Sequence, residues 1–150
     1  DHCAEQLAHG NEIATLAEAA ARGVAELTRY DRVTAEAASF AQLMDGFLGA
    51  LGETVRTEAP MHRLWYDLRS QALFEPAFRA DVAELDKSLE HMIWRVVSRF
   101  AELAGKPLEV QPAVIYAMLD GLFQQCLLKH VCGDATVRCG AGGAYSTVRS

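Results

Sequence analysis

Three of the four prolines in this sequence stand where helices are expected to begin, and they limit the folds open to the chain. Pro60, Pro76 and Pro112 each precede a run with apolar residues at helical spacing. Proline suits the first turn of a helix, because the N–H that it lacks would have no partner there. Gly105 is a stop signal for the long segment that begins at Pro76. Strand-like alternation is nearly absent before residue 133, so the pattern predicts an all-α protein.

The helical periodicity predicts a series of segments with loops at the glycine and proline breaks. The first segment spans residues 1–30, and Thr34 is expected to open a second helix that ends near Glu58. Further helices are expected over 60–74, 76–104 and 112–132. The last of these is apolar nearly all round, so it needs cover on more than one side. A second copy of the chain is the simplest packing partner for the side that its own domain leaves exposed.

Three glycines repeat at every third position in the second predicted helix, at Gly46, Gly49 and Gly52. Each costs the helix roughly 1 kcal/mol relative to alanine. Close approach of another backbone would explain them, and a loosely packed helix is the alternative.

Size, charge and cysteine usage narrow the class of protein further. A chain of 150 residues can form one domain, which we place at residues 1–132, with a Gly-rich tail at 133–150 that is either a small hairpin or an irregular segment. No apolar run reaches the roughly 18–20 residues that span a bilayer, and the first ten residues do not resemble a signal peptide. We therefore expect a cytoplasmic protein without a membrane partner, whose four cysteines are reduced and incidental.

The sequence carries no catalytic or metal-binding motif. It lacks a nucleophile elbow, a phosphate-binding loop and the His-Glu-x-x-His zinc pattern, and its cysteines lack zinc-ligand spacing. The prediction is a protein that is not an enzyme and that uses no cofactor or metal. Its net charge of −6, with scattered Arg and Lys, also makes these residues a poor DNA-binding surface.

Residues 64–132 have a characteristic order of elements. A short aromatic helix (LWYDLRSQALF) is followed by a Glu-Pro break, a long helix, a Gly-Lys-Pro break and an apolar helix with Leu-Asp-Gly-Leu at 119–122. This order resembles the C-terminal regulatory domain of TetR-type transcriptional repressors. The resemblance covers less than half of the chain, and the Gly-rich tail departs from it.

The resemblance implies an all-α multi-helix bundle that forms a homodimer. The last two long helices, here those beginning at Pro76 and Pro112, would pack against their mates as a four-helix bundle. TetR-type repressors begin with a three-helix DNA-reading domain, which has no counterpart in these residues. We therefore expect DNA binding only through a domain that precedes Asp1. The residues expected at the dimer interface are Phe100, Gly121, Leu122, Gln125 and Leu128.

The resemblance also implies a cavity for a small apolar or aromatic effector between the earlier helices. Large, adaptable apolar side chains suit such a wall, and a few polar groups would orient the ligand. The apolar candidates are Phe40, Met44, Phe47, Leu51, Met61, Trp65, Leu68, Trp94, Met118 and Phe123. The polar candidates are His62, Tyr66, Arg69 and Gln124. For each of them, ordinary packing in a protein core is the alternative.

The function that the resemblance implies is effector binding and dimerisation in a TetR-like repressor. Ligand would favour one of two arrangements of the first two helices and thereby alter DNA binding by the missing domain. The alternative is a helical interaction or small-molecule carrier module without a DNA-binding half.

Overall fold

A computed structural model describes residue 23 and residues 25–133, and every regular element in this part of the chain is helical. We number the helices α1 (the described residues 25–36), α2 (Phe40–Thr57), α3 (Ala59–Gln71), α4 (Arg79–Ala104) and α5 (Pro112–Val131). A single 3₁₀ turn, Pro76–Phe78, precedes α4. The all-α class is thus confirmed, whereas the predictions for the rest of the first segment and for the tail beyond Gly133 lie outside the described residues.

The boundary between α1 and α2 differs from the predicted one. The first helix continues to residue 36, and α2 begins at Phe40 rather than at Thr34. The Ser39 hydroxyl caps α2 by accepting the Gln42 N–H at 3.2 Å, while Gln42 Oε1 accepts the Ala38 N–H at 2.9 Å. This reciprocal pattern resembles a capping box, and it fixes the start of the helix.

The other helix ends follow the proline and glycine signals. Pro60 and Pro112 lie in the first turns of α3 and α5, and Pro76 begins the 3₁₀ turn. Gly105 ends α4 in the left-handed conformation, with φ 64°, which glycine adopts without steric cost.

The main core lies where four helices meet around α4. It is formed by Tyr30 of α1, Phe47 and Ala50 of α2, Met92, Ile93 and Val96 of α4, and Ile115 and Tyr116 of α5. A second cluster joins α3 to α4 through Trp65, Ala72 and Val82. The cavity described below lies between these helices.

One of the three glycines of α2 permits a close approach of α1. A Cβ added to Gly46 would lie 2.7 Å from Cγ1 of Val33, whereas no described residue lies within 4 Å of one added to Gly49. Within the described part of the chain, a Cβ on Gly52 would meet only the guanidinium end of Arg56, at 3.4 Å. Close packing therefore accounts for Gly46 alone.

One face of α5 remains exposed although it is apolar. Val114, Met118, Leu122 and Leu128 are between 51% and 64% exposed and fall on one side of the helix, with Gly121 and Gln125 between them. We call these six residues the α5 exposed face. No helix in the described part of the chain is long and apolar enough to cross a membrane.

Candidate functional site

A half-open cavity of about 360 Å³ lies between the helices, and all five of them contribute side chains to it. This volume lies at the lower end of the range for small-molecule sites, about 300–1,000 Å³. The wall surface is almost wholly apolar. The residues that line the cavity are Glu26, Tyr30, Phe47, Leu48, Leu51, His62, Trp65, Tyr66, Leu89, Met92, Ile93, Tyr116, Leu119, Asp120, Leu122, Phe123 and Cys126.

A buried carboxylate–imidazole pair interrupts the apolar wall. Nε2 of His62, on α3, lies 3.0 Å and 3.2 Å from the two carboxylate oxygens of Glu26, on α1. In the tautomer that carries its hydrogen on Nε2, the imidazole donates to the carboxylate. The ring of His62 also packs on Phe123 of α5, with 4.8 Å between the ring centroids. The pair thus ties α1 to α3 at the cavity wall.

Trp65 supplies a polar group to the cavity wall. The residue is 8% exposed, and its Nε1–H is buried without a hydrogen-bond acceptor among the described residues. A buried donor left in this state costs about 1–3 kcal/mol, so native proteins rarely keep one without a reason.

A charged network joins α3, α4 and α5 beside the cavity. Tyr66 donates to Asp120 Oδ1 at 2.9 Å, and Arg69 donates to Asp120 Oδ2 at 2.6 Å. Arg69 also lies 3.4 Å from Asp86, which accepts a 2.6 Å hydrogen bond from Tyr116. Two carboxylates, two phenols and one guanidinium therefore satisfy one another across three helices.

The network holds its phenols in the protonated form. Burial, together with the neighbouring carboxylates, raises the pKa of Tyr66 and of Tyr116 well above the ordinary value. Burial acts to lower the pKa of Arg69, but its hydrogen bond to Asp120 and the charges of Asp120 and Asp86 raise it overall. Both tyrosines remain donors, and the arginine remains a cation.

The structure brings together some of the predicted ligand-binding residues but not all. Those in the cavity wall are Phe47, Leu51, His62, Trp65, Tyr66 and Phe123. The others, which do not line the cavity, are Phe40, Met44, Met61, Leu68, Arg69, Trp94, Met118 and Gln124.

Each of these outlying residues has a different environment. Phe40 and Met118 are 45% and 57% exposed, Gln124 is exposed, and Met44 and Met61 are half-buried. Leu68 and Trp94 pack against the second cluster and the main core respectively, and Arg69 belongs to the charged network.

The residues predicted for the dimer interface divide into two groups. Phe100 packs within its own chain, edge to face on Phe40 and on Phe47, with ring centroids 5.1 Å and 6.3 Å apart. Gly121, Leu122, Gln125 and Leu128 lie on the α5 exposed face, and Leu122 also lines the cavity.

Sequence reasoning missed the acids that organise the site. Asp120 is the one acidic residue of α5, in an otherwise apolar stretch, and that isolation marks it as a residue that needs a partner. Glu26 carries no comparable signal, because it lies among the other acids and alanines of its segment. Its partner His62 is 36 residues away.

The described residues thus form an all-helical unit with an apolar cavity of the size of a small-molecule site. No group of three or more His, Cys, Asp or Glu side chains among the described residues has the arrangement that a metal ion needs. The chain matches no protein-family model, no curated protein and no solved structure.

Proposed function

We propose that this chain is the effector-binding and dimerisation domain of a TetR-like transcriptional regulator. Its effector is a small, largely apolar molecule that binds in the cavity between α1 and α5. The observation that carries the proposal is the cavity itself, because a recess of this size with an almost wholly apolar wall would gain buried apolar contacts from a ligand. The resemblance over residues 64–132 supports the regulatory role.

Dimerisation would occur through the α5 exposed face. An exposed apolar stripe of this kind is a common feature of protein interfaces. Gly121 lies within it, and nothing in the described part of the chain lies within 4 Å of a Cβ added there. The α5 helix of a second copy could therefore approach closely at this glycine, as in a two-fold symmetric helix bundle.

The Glu26–His62 pair offers a route from the ligand to α1. A molecule seated against His62 competes for the space beside the pair and changes how α1 packs on α3. Ligand shifts such an equilibrium only by binding one arrangement more tightly than the other. In a TetR-like regulator, α1 would relay this shift to the DNA-reading domain.

Native mass spectrometry of the purified chain tests both parts of the proposal. We expect a mass of twice the 16.4 kDa chain, with additional mass from a co-purified small molecule. Leu128→Glu places a charge on the α5 exposed face and is expected to give monomers. Leu64→Glu, at an exposed leucine of α3, is the matched control and is expected to remain dimeric.

The outcomes distinguish a dimeric regulator from a monomeric carrier module. A monomeric wild-type chain that holds a small molecule would contradict the regulator and favour a helical carrier. Monomers from both glutamate variants would contradict the assignment of the interface to α5.

A further inference from the structure

Resting on the proposed function, we infer that the cavity selects a neutral apolar molecule with one oxygen acceptor, such as an aryl ketone, which receives the Nε1–H of Trp65. The inference depends on which polar groups of the wall are already paired. It therefore concerns the chemistry of the ligand rather than the existence of the site.

The acidic and basic groups of the wall already form hydrogen bonds or ion pairs with one another or with other protein groups. Glu26 and His62 bond to each other, at 3.0 Å, and Asp120 accepts from Tyr66 and Arg69. A ligand carboxylate would meet no uncommitted cation among the described wall residues and would lie beside two acids. Because burying an unpaired charge is costly, the wall disfavours an anionic ligand.

The phenols of the wall also form hydrogen bonds within the protein. Tyr66 donates to Asp120 and Tyr116 donates to Asp86, while the hydroxyl of Tyr30 lies 2.9 Å from that of Thr54. The raised pKa of Tyr66 and of Tyr116 agrees with phenols that keep their protons and their bonds.

Trp65 differs from these groups because its N–H is buried and has no acceptor among the described residues. An indole N–H can only donate, so its partner must be an acceptor. An ammonium group offers none, whereas a carbonyl does. Trp65 lines the cavity, so an oxygen acceptor seated there would be the partner that this donor lacks.

Two probes of nearly equal shape isolate this contact: propiophenone, which has a carbonyl, and propylbenzene, which lacks one. The chain contains two tryptophans, so the indole region of a proton–nitrogen correlation spectrum contains two signals from Trp65 and Trp94. Trp65→Phe assigns them and removes the donor while keeping an aromatic ring. Trp94→Phe is the matched control, because Trp94 does not line the cavity.

Propiophenone is expected to move the Trp65 indole signal downfield in proportion to occupancy, with the Trp94 signal nearly unchanged. Trp65→Phe is expected to weaken propiophenone binding by about 3- to 10-fold, the effect of one hydrogen bond. Propylbenzene binding should change by less than about 2-fold in the same variant, since it makes no such bond. Trp94→Phe should leave both affinities unchanged.

Three results would overturn the inference. Equal weakening of both probes by Trp65→Phe would assign the residue a packing role only. Binding of propylbenzene with no binding of propiophenone would show that the wall rejects an oxygen acceptor; in both cases the cavity would stand as an apolar binding site. Failure of both probes to bind the wild-type chain would overturn the proposed function together with the inference.

Discussion

Glu26 and His62, 36 residues apart, form a buried pair with 3.0 Å between Oε2 and Nε2. Their side chains are 9% and 10% exposed, and both line the cavity. A contact between α1 and α3 thus occupies the wall that a ligand would touch.

Removing one member of the pair should destabilise the fold. Glu26→Ala leaves a buried imidazole without its acceptor, at a cost of about 1–3 kcal/mol in the free energy of unfolding. Glu53→Ala, at an exposed position of α2, should change it by less than about 0.5 kcal/mol. Urea denaturation measures both values. Equal effects at the two positions would show that the pair does not stabilise the fold.

The Arg69–Asp120 contact should be worth more than an exposed ion pair. The two groups lie 2.6 Å apart, with side chains 32% and 15% exposed, whereas Arg95 and Asp31 are 49% and 47% exposed. Double-mutant cycles with alanine should give a coupling of about 1.5–3 kcal/mol for the first pair. The second pair should give less than about 1 kcal/mol. Similar couplings would show that burial does not strengthen the Arg69–Asp120 contact.

Alkaline pH should destabilise the chain through its buried phenols. The pKa of Tyr66 and of Tyr116 is raised in the folded state above 10.0, the ordinary value. Above about pH 10 the unfolded chain therefore releases protons that the folded chain retains, so stability falls as pH rises. The stabilisation is fully present below that pH. Thermal melts across this range measure the decline.

The double variant Tyr66→Phe with Tyr116→Phe is the control for the alkaline melts. It carries neither of the two phenols whose pKa is raised, so its stability should fall less steeply with pH than that of the wild-type chain. Identical slopes would mean that other groups cause the alkaline loss.

Two glycines of α2 should respond to alanine in opposite directions. Gly49→Ala adds a methyl group into open space and should stabilise the helix by up to about 1 kcal/mol. Gly46→Ala places its Cβ 2.7 Å from Val33 and forces α1 away, which should cost about 1–3 kcal/mol before the helix-propensity gain. Thermal unfolding compares them directly. A Gly46→Ala variant as stable as Gly49→Ala would contradict the close contact between α1 and α2.

Local signals in the sequence predicted most helix boundaries, because each depends on a few neighbouring residues. Backbone geometry alone explains why a helix begins near Pro60 and at Pro112 and why one ends at Gly105. The predicted start of α2 at Thr34 was wrong. The helix instead begins after Ser39, where Ser39 and Gln42 form the N-terminal cap. The pattern Ser-x-x-Gln, which is typical of a capping box, indicates that cap in the sequence.

The site was harder to predict, because its polar groups meet across long sequence separations. Phe47, Leu51 and Phe123 were predicted as wall residues from their type, in a cavity that the resemblance implies, and they line the cavity. Met118, of equally suitable type, is exposed instead. Since α5 is apolar nearly all round, its periodicity does not indicate which side faces the core. Tertiary packing makes that choice.

The most direct test of the central claim is a calorimetric titration of the chain with propiophenone, in three forms. Cys126 lines the cavity and Cys132 is exposed outside it, so Cys126→Trp fills the cavity while Cys132→Trp is the matched control. We predict saturable binding at one site per chain in the wild type and in Cys132→Trp, and its loss in Cys126→Trp. Equal binding by all three forms would contradict a ligand site in this cavity, and so would a wild-type chain that binds neither propiophenone nor propylbenzene.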